Sequence, residues 1–269
     1  MLPRRPAFVA RPGLLQAVQI QAAVVGALML RELQSRYGRR GLGFLWLFLE
    51  PAVLGVLIAT ARFLRERTLP AGINIVAFFV IGYVVYYLFR TLVSRAASAY
   101  ETNEELLAHA RVTLEDILVA RTLLETSAVM MATAIFVIAL GLYTGDWPVS
   151  WVQMGLGIVM MGLLAHGFSL FVLSLTQFGV HTVDRIVHPL LYISIIFTGV
   201  MYMVWWLPAK LQPIIMVLPF IHIFEFVREG QFGPGIPYHY DLGYVALWII
   251  GSLVYGGFAL RRAKPHLQL

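Results

Sequence analysis

The chain has no cysteine, so neither a disulfide nor a thiol-ligated metal is available to it. It has only two lysines, and neither sits in a phosphate-binding loop, which requires Gly-Lys-Ser/Thr. Lys210 lies between Ala209 and Leu211, and Lys264 between Ala263 and Pro265, so ATP binding of that kind is excluded. No histidine is followed by glutamate, which removes the zinc-protease helix, and no serine stands in Gly-x-Ser-x-Gly. Charge is scarce as well: 13% of residues are charged against 59% hydrophobic, and mean hydropathy is +0.79. No soluble domain of 269 residues buries that much apolar surface behind so few charges, so the solvent is lipid. The net charge of +6 needs no nucleic acid, because a basic rim facing anionic headgroups accounts for it.

What the chain does have is six long apolar blocks, near 41–63, 73–95, 117–143, 149–178, 186–207 and 242–260. Each is long enough to cross about 30 Å of hydrocarbon as a helix, and none alternates as a membrane strand would. The expectation is an all-α polytopic membrane protein, a single transmembrane domain over 1–269. Residues 14–37 carry Gln16, Gln19 and Gln21 among apolar neighbours, the pattern of an amphipathic helix lying in the interface. Alternating the loops puts Arg4, Arg5, Arg11, Arg31, Arg36, Arg39, Arg40, Arg95, Arg111, Arg121, Arg185, Arg261, Arg262 and Lys264 on one side. Arg62, Arg65, Arg67, Lys210 and Arg228 fall on the other, which predicts both termini in the cytoplasm. Trp147, Trp151, Trp205 and Trp206 mark the opposite interface.

Residues 208–230 are too short to cross as one helix, and Pro208, Pro213 and Pro219 interrupt them. They are expected to enter the outer leaflet and return as two short helices hinged near Pro219. Trp205 and Trp206 would anchor the segment at headgroup level, with Lys210 and Arg228 near the external surface, where they could meet an acidic glycan.

Polar residues within the apolar blocks are the candidates for function. Tyr83, Tyr87, Arg90, Ser94 and Glu101 recur at helical spacing on one narrow arc. A guanidinium facing lipid costs several kcal/mol, so this face should meet protein or water, either as packing or as the wall of a polar pathway. In the fifth block Tyr192, Gly199, Tyr202 and Trp206 also share a helical face. Aromatic rings with polar tips offer flat platforms on which a sugar could slide. His166 reads as a neutral imidazole bonded to a neighbouring helix, and His222 with Glu225 as a structural pair.

The loop YETNEELLAHARVTLEDILVARTLLE, residues 100–125, is charged and helix-favouring. It offers a short helix with an apolar patch, Leu106 and Leu107, after Asn103. A partner pushing on the membrane domain would need such a helix, and Glu104, Glu105, Leu106, Leu107, His109 and Arg111 are the candidates for that contact.

Three stretches resemble type 2 ABC exporter permeases of polysaccharide systems. RELQSRYGRRGLGFLWLFLEP, residues 31–51, resembles the start of their first span, with Arg31, Arg36, Tyr37, Leu42, Gly43, Trp46, Glu50 and Pro51. VTLEDILVARTLLE, residues 112–125, resembles the turn after their coupling helix, where many relatives have proline at the place of Thr113 or Leu114. The third is the broken apolar pair between the fifth and sixth blocks, which resembles their outer re-entrant helices. The closest group is the inner-membrane permease of capsular polysaccharide export; O-antigen and teichoic-acid permeases share the plan.

The resemblance implies a homodimer around a central channel, two separate ATP-binding cassette subunits holding ATP and Mg, and a lipid-linked polysaccharide as cargo. Periplasmic and outer-membrane export proteins would follow. It places Arg36, Tyr37, Arg39, Arg40, Trp46 and Glu50 at the channel mouth, and it makes residues 101–113 the coupling-helix region. No cofactor is expected in the chain itself. The rival readings are another ABC export cargo, an intramembrane enzyme on lipid-linked sugar, for which Glu50 alone is a weak acid/base candidate, and a proton-coupled carrier, which lacks its carboxylate relay and repeats here.

Overall fold

The computed structural model describes residues 13–37, 43–64, 69–107, 112–180 and 182–263, and within them every regular element is helical. Helix α1 (Leu14–Tyr37) is followed by α2 (Gly43–Phe63), α3 (Ile75–Ala97), the single turns α4 (Ala99–Thr102) and α5 (Glu104–Leu107), then α6 (Leu114–Thr144) and α7 (Trp151–Gln177). After α8 (Val183–Ser194) come α9 (Gln212–Ile215), α10 (Pro219–Phe232) and α11 (Leu242–Ala263). Helices α1, α3, α6, α7 and α11 are long and apolar enough to cross a membrane, and α2, with 21 residues, has the length.

Local chemistry sets the helix ends. Asn74 caps α3 by accepting from the N–H groups of Val76 and Ala77. Thr113 and Asp116 form a reciprocal capping box that starts α6 at Leu114, and Gly145 (φ 81°) ends it in the left-handed region. Ser150 opens α7. Helix α3 is apolar on nearly every side and stands at the centre, packed by α2, α6, α7, α8 and α10. Helices α7 and α11 run side by side at backbone contact: a Cβ on Gly256 would lie 2.7 Å from the Gly167 carbonyl oxygen, and one on Gly167 would strike Ser252.

The fifth apolar block departs from the expectation of one helix over 186–207. Helix α8 ends at Ser194, and only a short 3-10 turn, Val204–Trp206, follows. The chain nevertheless descends the whole of α3. Ser94 faces His188, Arg90 faces Tyr192, Tyr86 faces Leu191 and Ser194, Gly82 abuts Val200, and Phe78 stacks on Trp206. The helix gives way because Gly199 adopts φ 85° and the Val200 and Tyr202 carbonyls are captured by the Arg228 guanidinium at 2.8 and 2.7 Å. Tyr192, Gly199, Tyr202 and Trp206 therefore share no helical face.

The next segment dips and returns. Trp206 lies against Phe78, Phe220 against Phe89, and Arg228 again over Phe78. Phe78 and Phe89 are separated by about 16 Å along α3. Helix α10 then climbs antiparallel to α7, from Phe220 beside Phe168, through Val227 at Gly157, to Gly230 beside Ser150. The break sits where the prolines put it, with Pro219 at the first turn of α10.

Helix α1 touches the rest through its second half. Gln21 bonds Asp116, Glu32 pairs with Arg121, and Val25 and Leu28 are buried with Ile117 and Ala120. About 16 Å of α1 thus matches about 8 Å of α6, so the two helices cross rather than run parallel. Its first turns, from Leu14 to Ile20, are exposed.

Candidate functional site

The polar arc on α3 opens into a cleft shared with α2 and α8. Arg90 is half-buried between two tyrosine rings, with its guanidinium carbon 5.3 Å from the centroids of both Tyr87 and Tyr192. It donates to the Tyr192 hydroxyl at 2.9 Å. Sandwiching a delocalised cation between ring faces lowers its desolvation cost while leaving donor positions for a ligand. One turn on, Ser94 Oγ and His188 Nε2 are 2.8 Å apart, and His188 Nδ1 lies 3.1 Å from the Asp184 carbonyl. The carbonyl can only accept, so Nδ1 carries the proton, and in the neutral ring Nε2 accepts from Ser94. A cavity of about 130 Å³ lies between Glu50, Tyr87, Arg90, Thr91, Ser94 and Arg95.

Glu50, expected at the channel mouth, thus joins the α3 arc. Tyr83 and Tyr87 are buried in the protomer, with the Tyr87 ring against Arg90 at the cavity wall. Tyr192 is 61% exposed and forms the outward lip. Sequence reasoning misses His188 and Asp184, although their spacing of four on α8 is visible, because the partner that gives them meaning lies 94 residues away. Arg36 and Tyr37 end α1 and Trp46 lies in α2, but their side chains, with the residues Arg39 and Arg40, lie outside the described residues.

The outer group divides. Lys210 is exposed, as expected. Arg228 is not free to meet a ligand: it is 1% exposed, held by two carbonyls, with Phe78 3.8 Å beneath its guanidinium carbon. A broken helix frees carbonyls that water cannot reach, and a buried guanidinium satisfies them. Trp205 and Trp206 are half-buried and pack on Phe78 and Phe79. Tyr202 donates to the Phe197 carbonyl at 3.0 Å. Glu225 accepts from the N–H groups of Val204 and His239. His222 Nδ1 accepts from Asp241 N–H, so its Nε2–H donates to the Met216 carbonyl. This is the structural role expected for the His222 and Glu225 pair. In the loop before α11, the bond to the Glu229 carboxylate pushes the Tyr240 hydroxyl up to about 12. His166 Nδ1 lies 2.8 Å from Thr122 Oγ1 on α6, the interhelical bond expected of it.

In the cytoplasmic-loop candidate, Asn103 separates α4 from α5, and Glu104 and Glu105 are exposed. Leu106 and Leu107 turn inward, half-buried against the Val25, Leu28, Ile117 and Ala120 cluster. Their apolar patch seats the segment on α1 and α6. His109 and Arg111 lie outside the described residues.

The sequence profile of the ABC-2 type transporter family matches residues 23–232. The chain is 31% identical over 256 residues to the capsule polysaccharide export inner-membrane protein CtrC of Neisseria meningitidis serogroup A, covering 94% of this chain and 96% of that one. It is 30% identical over 246 residues to the capsule polysaccharide export inner-membrane protein BexB of Haemophilus influenzae (90% and 91%). It is 27% identical over 257 residues to the polysialic acid transport protein KpsM of Escherichia coli (93% and 97%).

Proposed function

Because the chain belongs to the ABC-2 type transporter family, we propose that it is the inner-membrane permease of a capsular polysaccharide exporter. The observation that carries this is similarity over more than nine-tenths of the chain to proteins named for capsule polysaccharide export. The cargo is a lipid-linked polysaccharide, and the energy comes from two separate ATP-binding cassette subunits, since neither lysine here has a phosphate-loop context. Those subunits hold ATP and Mg, and Glu104 and Glu105 face them, with Leu106 and Leu107 relaying their motion to α1 and α6.

Two copies form the channel. The apolar residues Ile186, Leu190, Ile193, Ile196 and Phe197 of α8 and its sequel, all more than half exposed in one protomer, support a second copy there. The cleft of Glu50, Arg90, Ser94, His188 and Tyr192 is the wall along which sugar passes, its rings supplying flat contacts and Arg90 the charge. Periplasmic and outer-membrane export proteins continue the route outward.

In the membrane, six crossings with both termini cytoplasmic satisfy the arginine bias. The fifth crossing is helical only in its cytoplasmic half, a break tolerated because its backbone is bonded to protein. The return of Arg228 to the level of Trp206, after a dip of about half a bilayer, supports a re-entrant α9–α10 pair. The crossing of α1 over α6 supports an interfacial first helix.

Disruption of the gene in its source bacterium tests the function. Polymer should accumulate inside the cell and vanish from the surface, with recovery on complementation. Normal surface capsule in the disruptant overturns the reading, and loss of O-antigen with capsule intact reassigns the cargo.

A further inference from the structure

A second polar cavity, about 330 Å³, opens where α1 and α3 end and α6 begins. Its floor is Arg121 and Asn103, both buried, and its rim carries Arg31, Ser35, Arg95 and Thr102. Arg121 pairs with Glu32 at 3.0 Å and also donates to the Arg95 carbonyl at 3.2 Å. Arg95 stands 3.8 Å from Glu125. Arg31 donates to the neutral Asn103 side chain at 3.1 Å, a bond that leaves its charge uncancelled.

Among the described residues, three guanidinium charges therefore meet two carboxylates, and one positive charge remains at a semi-enclosed site. The exposed acids of the same segment, Glu101, Glu104 and Glu105, do not line the cavity. Guanidinium forks from two side chains, with the Ser98 hydroxyl also lining the cavity, suit a tetrahedral oxyanion better than a flat carboxylate, while the Ser35 and Thr102 hydroxyls are spent on the Glu32 and Ser98 carbonyls. The cavity lies on the arginine-rich side of the chain, and the exposed Leu14, Leu15, Val18 and Leu30 of α1 carry apolar surface away from it. A ligand with a phosphate head and hydrocarbon chains matches both features, and basic pockets between membrane helices commonly take such headgroups.

We propose that this cavity is a phosphate site for the headgroup of an anionic membrane lipid, with Arg31 and Arg95 gripping the phosphodiester above the Arg121–Glu32 pair. The site is separate from the Arg90 cleft and does not depend on the cargo.

The test is binding of the purified full chain to vesicles of phosphatidylglycerol in phosphatidylcholine, against phosphatidylcholine alone, with inorganic phosphate as competitor. Wild type should prefer the anionic vesicles, and Arg31→Gln with Arg95→Gln should weaken that preference by about thirtyfold at low salt, roughly fivefold per arginine. Inorganic phosphate displacing the lipid at equal millimolar concentration assigns the same chemistry to a free anion instead. Arg31→Gln alone, at an exposed side chain with one neutral partner, provides the readout if the double variant does not fold. Unchanged preference in a folded Arg31→Gln protein, or no preference in the wild type, overturns the proposal.

Discussion

At the residue scale, two arginines in apolar surroundings have opposite fates. Arg228 closes on backbone carbonyls and a phenyl face, and its removal leaves two buried acceptors unpaired. Arg228→Met should therefore destabilise the protein by about 2–4 kcal/mol, while Lys210→Ala changes little. Thermal unfolding in detergent measures this, and equal melting of the two variants would refute the clamp. Arg90 instead keeps donor capacity toward an open cleft. In this cysteine-free background, Arg90→Cys should react with a small water-soluble thiol reagent far faster than Val85→Cys, which is fully buried. Tyr87→Cys should become reactive only when ATP drives the assembled exporter, because that side chain is 3% exposed in the protomer. Identical, negligible labelling at all three positions in both states would make the arc a packing surface.

At the element scale, Thr113 with Asp116, Ser150, and Pro219 each act within a turn or so of the residues they organise, and of these the hinge near Pro219 was expected from the sequence. The end of α8 was not legible in this way. Its block has the hydropathy of a full span, and the feature that unwinds it is a side chain on α10, 28 residues beyond Val200. The close approach of α7 and α11 also depends on partners distant in sequence. Gly256→Leu would drive a side chain into the Gly167 carbonyl and Leu170, so it should separate the two helices and lower expression and melting temperature sharply. Gly257→Leu on the adjoining open face serves as the control, since a Cβ there meets nothing within 4 Å. Equal tolerance of both substitutions would mean that the helices do not touch there.

At the scale of the whole molecule, the proposed re-entry between Trp206 and Arg228 would set the direction of α11 and hence the side of the C-terminus. Cysteines at Lys210 and Gly235, both exposed and flanking the dip, should be labelled by a membrane-impermeant reagent from outside only. Labelling of one from each face would turn α10 into a crossing and reverse α11. In the segment between α3 and α6, Leu106 and Leu107 pack on α1 and α6, while Glu104 and Glu105 are exposed.

The sequence by itself determined the apolar character, the helical class and the lack of a Gly-Lys-Ser/Thr phosphate loop, because each follows from composition or from spacing within one segment. It also carried the family resemblance, which the profile match bears out. Tertiary structure alone decided which polar residues are clamps and which face a cleft. Arg90 and Arg228 are the same residue in similarly apolar stretches, and their roles diverge through Tyr192 on α8 for one and the carbonyls freed beside Gly199 for the other. Those partners lie far along the chain, and hydrogen bonding in a low-dielectric interior rewards the pairing that the fold brings within 3 Å.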